Sequence, residues 1–291
     1  MKKVLLAGAV RPRQGALYCA LLTFIIACSY ILSAQGNGSK KVRYDVLKAL
    51  DTALVEFRYR YICTDHMQHS SEAVLQVGKR MTKFQAIGEY FSDSLMVVHG
   101  GKYYTWDEVD KIESVLPRKG YYPGWHLIDN YPKGKTTIIE YVSFDFYSSE
   151  EERALPQWTI MSDSVRQVMG YTCQMARTEL HGRRWTAWFA SSVKLPYGPW
   201  LLRGLPGLVV WAYDDDKEFD MLLLGKTNRK SIIGIEDRVY IRAPRESVLK
   251  IRRRFMEEAP GIVKRMTGVK VDGDIKPIKR RYNPIRRIKT S

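Results

Sequence analysis

The chain has 291 residues and a formal net charge of +16, but the charge is unevenly distributed. Residues 35–228 carry 24 basic and 24 acidic side chains, whereas residues 229–291 carry 19 basic and 7 acidic ones, a net +12. No internal repeat or low-complexity tract is visible, which excludes repeat architectures. No linker-like stretch interrupts residues 42–225, so we expect one large domain.

The first 34 residues have the pattern of an export signal. The nearly charge-free apolar stretch 16–34 ends in Leu32-Ser33-Ala34, which predicts cleavage between Ala34 and Gln35. The basic residues that precede it are Lys2, Lys3, Arg11 and Arg13. Two alternatives stay open: an uncleaved membrane anchor, and a lipoprotein modified at Cys28. The predicted location is the periplasm, the outer membrane or the exterior.

Alternation of apolar and polar residues predicts a chain made mainly of strands. Residues 181–183 and 214–217 are typical of hairpin turns, each between two strands. The predicted strands are 54–63, 136–147, 171–180, 184–190, 208–213, 218–224 and 231–241.

Two short helices are predicted, over 107–116, before Pro117, and over 244–259, which has a basic outer face. Because helices do not alternate with strands, the expected fold is mainly β, an antiparallel curved or partly closed sheet with two short helices. Residues 35–228 form the predicted β-rich domain, and residues 229–291 the final strand, a basic helix and a basic tail.

Cys63 and Cys173 are the cysteines that remain after the signal. In an oxidising compartment two cysteines most simply form one disulfide, which would place their strands side by side. The alternative is two buried thiols that never meet. Their spacing does not suggest a metal site.

Residues 198–208 join two Gly/Pro turns to an apolar strand. Pro206 followed by Gly207 predicts a type II turn with positive φ at Gly207. The nearby strand 184–190 is apolar on both faces, so one face would line the core while the other is either covered or open as a groove. The predicted binding surface consists of Trp185, Trp188, Trp200, Gly204, Pro206 and Gly207.

The segment Gly204-Leu205-Pro206-Gly207-Leu208-Val209 resembles the signature of the GLPGLI family, with Val209 in place of the final Ile. The blocks 75–79, 170–176 and 182–189 resemble family blocks in the same order, and Tyr282-Asn283-Pro284-Ile285 resembles the family ending, although Arg286 stands where an acidic residue is more typical. The resemblance implies an exported protein of a Gram-negative envelope. It implies no activity.

The sequence contains only weak signals for a catalytic or metal-binding site. His66 and His69 have HxxH spacing, but the segment is typical of a loop, and the acidic run 214–218 lacks the pattern of a calcium loop. Neither a nucleophile elbow nor a phosphate-binding glycine loop is present. No metal, cofactor or catalytic residue is therefore predicted.

The basic tail offers a second candidate surface, for anionic lipid or other envelope surfaces. Export argues against nucleic acid. The alternative is a solubilising tail that lies along the domain, and the family resemblance implies that residues 282–285 dock there. The sequence therefore predicts an exported, non-enzymatic module that binds an envelope protein or an apolar ligand. The alternative function is an envelope hydrolase or metal-dependent enzyme in an aromatic cleft, using His66, His69 or acidic residues.

Overall fold

A computed structural model describes residues 40–64, 68–116, 124–142, 145–255 and 284–287. The predicted signal peptide with its cleavage or lipidation site, His66, and the basic tail other than residues 284–287 lie outside this range. No helix in the described ranges is long and apolar enough to cross a bilayer.

The described chain is mainly β, as predicted, with three short helices. The helices are α1 (Ile87–His99), α2 (Trp106–Glu113) and α3 (245–255). The strands are β1 (Val42–Arg43), β2 (Leu47–Thr64), β3 (Gln68–Gly78), β4 (Thr82–Ala86), β5 (Tyr103–Tyr104), β6 (Trp125–Asp129), β7 (Lys135–Val142), β8 (Asp145–Glu152), β9 (Thr159–Val168), β10 (Tyr171–Leu180), β11 (Arg183–Ala190), β12 (Leu208–Asp214), β13 (Phe219–Thr227), β14 (Ile232–Glu236) and β15 (Ile241–Arg242).

Thirteen strands form one large sheet, in which twelve follow the order β15-β8-β7-β6-β4-β3-β2-β13-β12-β11-β10-β9. All neighbours are antiparallel except β15 and β8. The long strand β2 pairs with β14 along its first part and with β13 along its second. The remaining strands, β1 and β5, pair separately. The antiparallel sheet is therefore open, with β15 and β9 at its ends.

Both predicted hairpins are present. Leu180 pairs with Arg183 across a two-residue turn in which His181 and Gly182 have φ of 52° and 75°, the signature of a tight β-hairpin. The predicted strand 136–147 is wrong as one strand, because it is divided between the antiparallel pair β7 and β8. Helices α2 and α3 match the predicted ones, whereas α1 was not predicted.

The main core lies on one face of the sheet and is covered by the connection between β11 and β12. Alternate residues of β2 point into this core, and the Tyr59 hydroxyl donates a hydrogen bond to the Val209 carbonyl at 2.7 Å. Residues 191–207 contribute apolar side chains to the same core, which are Val193, Leu195, Tyr197, Trp200, Leu201, Leu202 and Leu205. An irregular connection therefore covers the core face of the sheet.

The type II turn with positive φ at Gly207 was a wrong prediction, since the residues with positive φ in this segment are Trp200, at 54°, and Gly204, at 91°. Gly207 is required for a different reason. A Cβ atom there would lie 2.3 Å from the carbonyl oxygen of Ala190, far inside van der Waals contact. The absence of a side chain lets the connection pass directly against the end of β11.

The predicted disulfide between Cys63 and Cys173 is also wrong. The two cysteines are not joined and both are buried. Cys63 lies on β2 and Cys173 on β10, and three strands separate these in the sheet. The strands are therefore not neighbours, and the alternative of two separate buried thiols describes the structure.

Replacing Gly207 with Ala should lower the free energy of unfolding by about 2–3 kcal/mol, because an added methyl group must displace the backbone at Ala190. The control is Leu208→Ile, a volume-conserving change at the next, fully buried residue, which should cost less than about 1.5 kcal/mol. Denaturant unfolding of both variants measures the difference. Equal losses would contradict a special role of Gly207.

Candidate functional site

The structure divides the predicted binding surface between two faces of the sheet. Trp185 and Trp200 are buried in the main core, where their ring centroids lie 5.5 Å apart. Trp188 points to the opposite face, because successive residues of a strand alternate. In the connection, Gly204 and Pro206 are exposed while Gly207 is buried. Trp188 is also buried, at 8% exposed, and belongs to the same core cluster as Trp185 and Trp200. All six residues therefore belong to the core or its covering connection, and Trp188 differs in lying on the opposite face of the sheet.

On the outer face, Trp188 pairs in register with Trp211 of β12. The guanidinium of Arg166, on β9, lies over both rings, 5.0 Å from the centroid of Trp188 and 5.1 Å from that of Trp211. The indole of Trp211 also donates to the Asp220 carboxylate at 2.9 Å. We call Arg166, Trp188, Trp211 and Asp220 the outer aromatic patch. It joins two flat aromatic surfaces to a cation and a carboxylate.

The outer aromatic patch adjoins β9, an end strand of the sheet. The side chains of Ile160, Met161 and Val165 on β9 are 43%, 37% and 58% exposed. β9 pairs with β10 on one side, and no strand in the described ranges pairs with its other side. The register shifts where Val165 and Met161 oppose Gln174 and Met175, which marks a bulge. The backbone hydrogen-bonding groups on the outer edge of β9 thus lie beside exposed apolar side chains.

No pattern in the sequence points to Arg166 or to β9. Residues 159–168 are largely polar, and Asp163-Ser164 has the composition of a turn. The pairing of Trp211 with Trp188 joins β12 to β11 across the long connection 191–207, so no hairpin turn encodes it.

A second group of polar side chains surrounds the buried guanidinium of Arg183, at the start of β11. Its Nη1 donates to Asp214 at 2.6 Å and to Glu218 at 2.7 Å. Its Nε donates to the Ile285 carbonyl at 3.0 Å, and its Nη2 to the Pro284 carbonyl at 2.9 Å. Arg183 therefore ties the hairpin of β12 and β13 to the C-terminal segment.

Asp214, Asp216 and Glu218 bring oxygen atoms within 4.8 Å of one another. These carboxylates face cations of the protein itself, since Arg183 pairs with Asp214 and Glu218, and Arg287 pairs with Asp216. The segment forms the turn of a hairpin, as the sequence predicted. Its charge is thus compensated within the fold.

The tail docks on the domain through residues 284–287, which decides between the two alternatives for this part of the tail. Ile285 is buried in the main core. Arg286 pairs with Glu151, and the Arg287 amide donates to the His181 carbonyl at 3.0 Å. Residues 284–287 are therefore part of the folded domain.

A third polar group lies beneath α1. Lys83 contacts the Asp93 carboxylate at 2.6 Å and the Gly234 carbonyl at 3.0 Å, and Gln85 donates to Asp93 at 2.8 Å. Burial, with the nearby carboxylates of Glu236 and Asp93, raises the pKa of Glu89 to about 7.

Apart from His99 at the end of α1, the described histidines lie in three different settings. His126 is buried on β6, and burial together with Lys83 and Arg238 holds its pKa well below the usual range. His181 lies in the turn between β10 and β11, 5.6 Å from the Trp200 ring, and burial lowers its pKa to about 4. His69 lies on β3, opposite Cys63. At neutral pH the imidazoles of His126 and His181 are therefore uncharged.

The sequence matches no family model and no curated protein. Among solved structures it is similar to PNGF-II in space groups P21 and C2, each with a TM-score of 0.46 and 11% identity. The matches cover 70% of this chain but only 34% and 33% of the PNGF-II chains. The chain thus spans about a third of the length of these proteins, and a likeness at this level carries no argument about function.

Arg183→Lys should lower the free energy of unfolding by at least about 2 kcal/mol, because an ammonium lacks the planar fork that holds two carboxylates and two carbonyls. The control is the same change at Arg184, whose side chain is 76% exposed, with an expected effect within about 0.5 kcal/mol. Denaturant unfolding compares the two. A loss at Arg184 equal to that at Arg183 would contradict the role assigned to the buried network.

The contribution of Glu89 to stability should fall as pH rises from about 5 to 8. Glu89 has an ordinary pKa of 4.5 and a folded value of about 7, so the folded chain binds more protons in this window. The expected contribution is about 1–3 kcal/mol, since Glu89 is partly exposed. Glu89→Gln should remove this part of the slope, and Glu179→Gln, at an exposed position, should leave it. Unfolding curves at several pH values measure how the free energy of unfolding depends on pH. The same pH dependence in the unchanged protein and in both variants would refute the role of Glu89.

Proposed function

We propose that this protein is an exported, non-enzymatic interaction module of the cell envelope, which binds an extended segment of an envelope protein along β9. The predicted export signal and the resemblance to the GLPGLI family support the location. The observation that carries the binding mode is the edge of β9, a ten-residue end strand with three exposed apolar side chains.

A free edge presents a row of backbone donors and acceptors to which another strand can add. Proteins commonly protect such edges with Lys or Pro, and β9 contains neither. The other end of the sheet is different, because β15 has only two residues. β9 is therefore the better of the two ends for strand addition.

The outer aromatic patch supplies the side-chain part of recognition. In strand addition the backbone gives affinity, while alternate side chains of the added segment pack against the acceptor and give specificity. The exposed Arg166 of β9 lies over the half-buried Trp211 and the buried Trp188, which belong to β12 and β11, the third and second strands in from β9. An added segment with alternating apolar residues would extend this surface.

Attachment to an anionic envelope surface is a second part of the proposal. It is supported by the +12 charge of residues 229–291. In the described part of the chain, exposed basic side chains include Arg229, Lys230, Arg242 and Lys250. Each basic group near an anionic surface contributes about 1 kcal/mol of attraction, which salt weakens.

The alternative of a hydrolase or metal-dependent enzyme stays a prediction. The acidic group nearest to a metal-ligand arrangement, around Asp216, is paired with arginines. That pairing favours the interaction module.

The test places a photoreactive amino acid at Ile160 in the full-length protein, within the envelope of the producing cell. Irradiation should give an adduct with an extended segment of a second protein, mapped by mass spectrometry. Val165→Lys should reduce the adduct by about tenfold, because a charged residue on an edge strand opposes strand addition.

The matched control is Leu224→Lys, at an apolar side chain that is 42% exposed on the interior strand β13. This variant should leave the adduct unchanged. An adduct that survives Val165→Lys, or that forms equally from a photoreactive group at position 224, would overturn the assignment to β9.

A further inference from the structure

We infer that the start of β11 and the two neighbouring hairpin turns form a peptide-binding site for an extended Pro-Ile-Arg-Arg segment, which the chain fills with its own residues 284–287. The site is separate from the edge of β9. It has three parts, each of which recognises a different feature of the bound segment.

The first part binds the main chain of the segment. Arg183 donates from two nitrogens to the consecutive carbonyls of Pro284 and Ile285, at 2.9 and 3.0 Å. The His181 carbonyl accepts from the amide of Arg287 at 3.0 Å. The segment is thus held at three points of its main chain. Pro284 has no amide hydrogen, and its ring limits the free conformations of the segment.

The second part is an apolar slot for one side chain. Ile285 is 4% exposed and belongs to the main core, although it is far along the chain from the other members. Such a buried anchor flanked by polar contacts is the usual centre of a recognition site.

The third part is an acidic rim that faces the two arginines. Arg286 pairs with Glu151, and Arg287 pairs with Asp216 and, at 3.7 Å, with Glu218. Charged guanidinium–carboxylate pairs of this kind set the position and direction of a bound peptide. The rim therefore selects basic residues directly after the apolar anchor.

The tether explains how a short segment can occupy the site. Residues 256–283 separate the described part of α3 from Pro284. Because the segment and its site belong to one chain, the segment is present at an effective concentration of about 1 mM, so a segment with micromolar to millimolar affinity remains bound. The same affinity allows exchange once the tether is cut.

The test inserts a specific protease sequence between Gly273 and Asp274 of the full chain. After cleavage, a labelled synthetic peptide with the sequence of residues 282–289 should replace the released fragment, with a Kd of about 1–100 µM. Size-exclusion chromatography and fluorescence anisotropy follow the exchange. Binding should weaken at high salt, because the outer ion pairs are screened.

Two variants test the apolar slot and the acidic rim, and a third is the control. A peptide with Ile285→Asp should bind at least about tenfold more weakly, because the slot is apolar. Asp216→Asn in the protein should weaken binding by up to about fivefold, whereas Asp163→Asn, on exposed β9, should not. A scrambled peptide that binds equally well, or a cleaved fragment that leaves without being replaced, would overturn the proposal.

A measurement on the uncut chain covers the case in which cleavage unfolds the protein. Hydrogen exchange should show the Arg287 amide protected, and Ile285→Asp should remove that protection while the amides of β10 stay protected. An Arg287 amide that exchanges freely in the uncut chain would equally overturn the proposal. Neither result depends on β9, so this site and the proposed function succeed or fail separately.

Discussion

One sheet of this size has a broad core face, and the fold depends on how the chain covers it. The connection between β11 and β12 does this with a run of apolar side chains and no regular structure. Close packing and hydrogen bonds at its edges hold this connection against the sheet. Gly207 permits the contact, and the Trp158 indole donates to the Arg203 carbonyl at 2.8 Å from outside. This single layer covers the core side of the sheet.

Buried arginines attach the covering segments to the sheet in three places. Arg203 of the connection lies 3.1 Å from Asp129 on β6, Arg245 of α3 pairs with Glu140 on β7, and Arg183 of β11 holds the C-terminal segment. Removing charges from water is costly, so such pairs add little net stability. They define position instead, because a displaced segment would leave a buried charge without its partner. The irregular parts of the fold are thus fixed by polar contacts, and the strands by their ladders.

The sequence allowed the sheet and its hairpins to be predicted, because they depend on local signals. The turn at His181-Gly182 needs two residues with positive φ, and alternation correctly separated Trp185 from Trp188. Alternation failed at β7 and β8, since the apolar pattern continues from one strand into the next. The outer aromatic patch and the Arg183 network join residues distant in sequence, and no local pattern encodes which carboxylate an arginine will meet. The prediction of a disulfide was wrong for the same reason, because the number of cysteines does not indicate the order of the strands that carry them.

The separation of the two thiols has a consequence for the action of reductants. Burial raises the pKa of Cys173 to about 11, so this sulfur stays protonated and unreactive in the folded chain. No covalent cross-link joins Cys63 to Cys173. In the described fold, reductants therefore have no bond between these two cysteines to break.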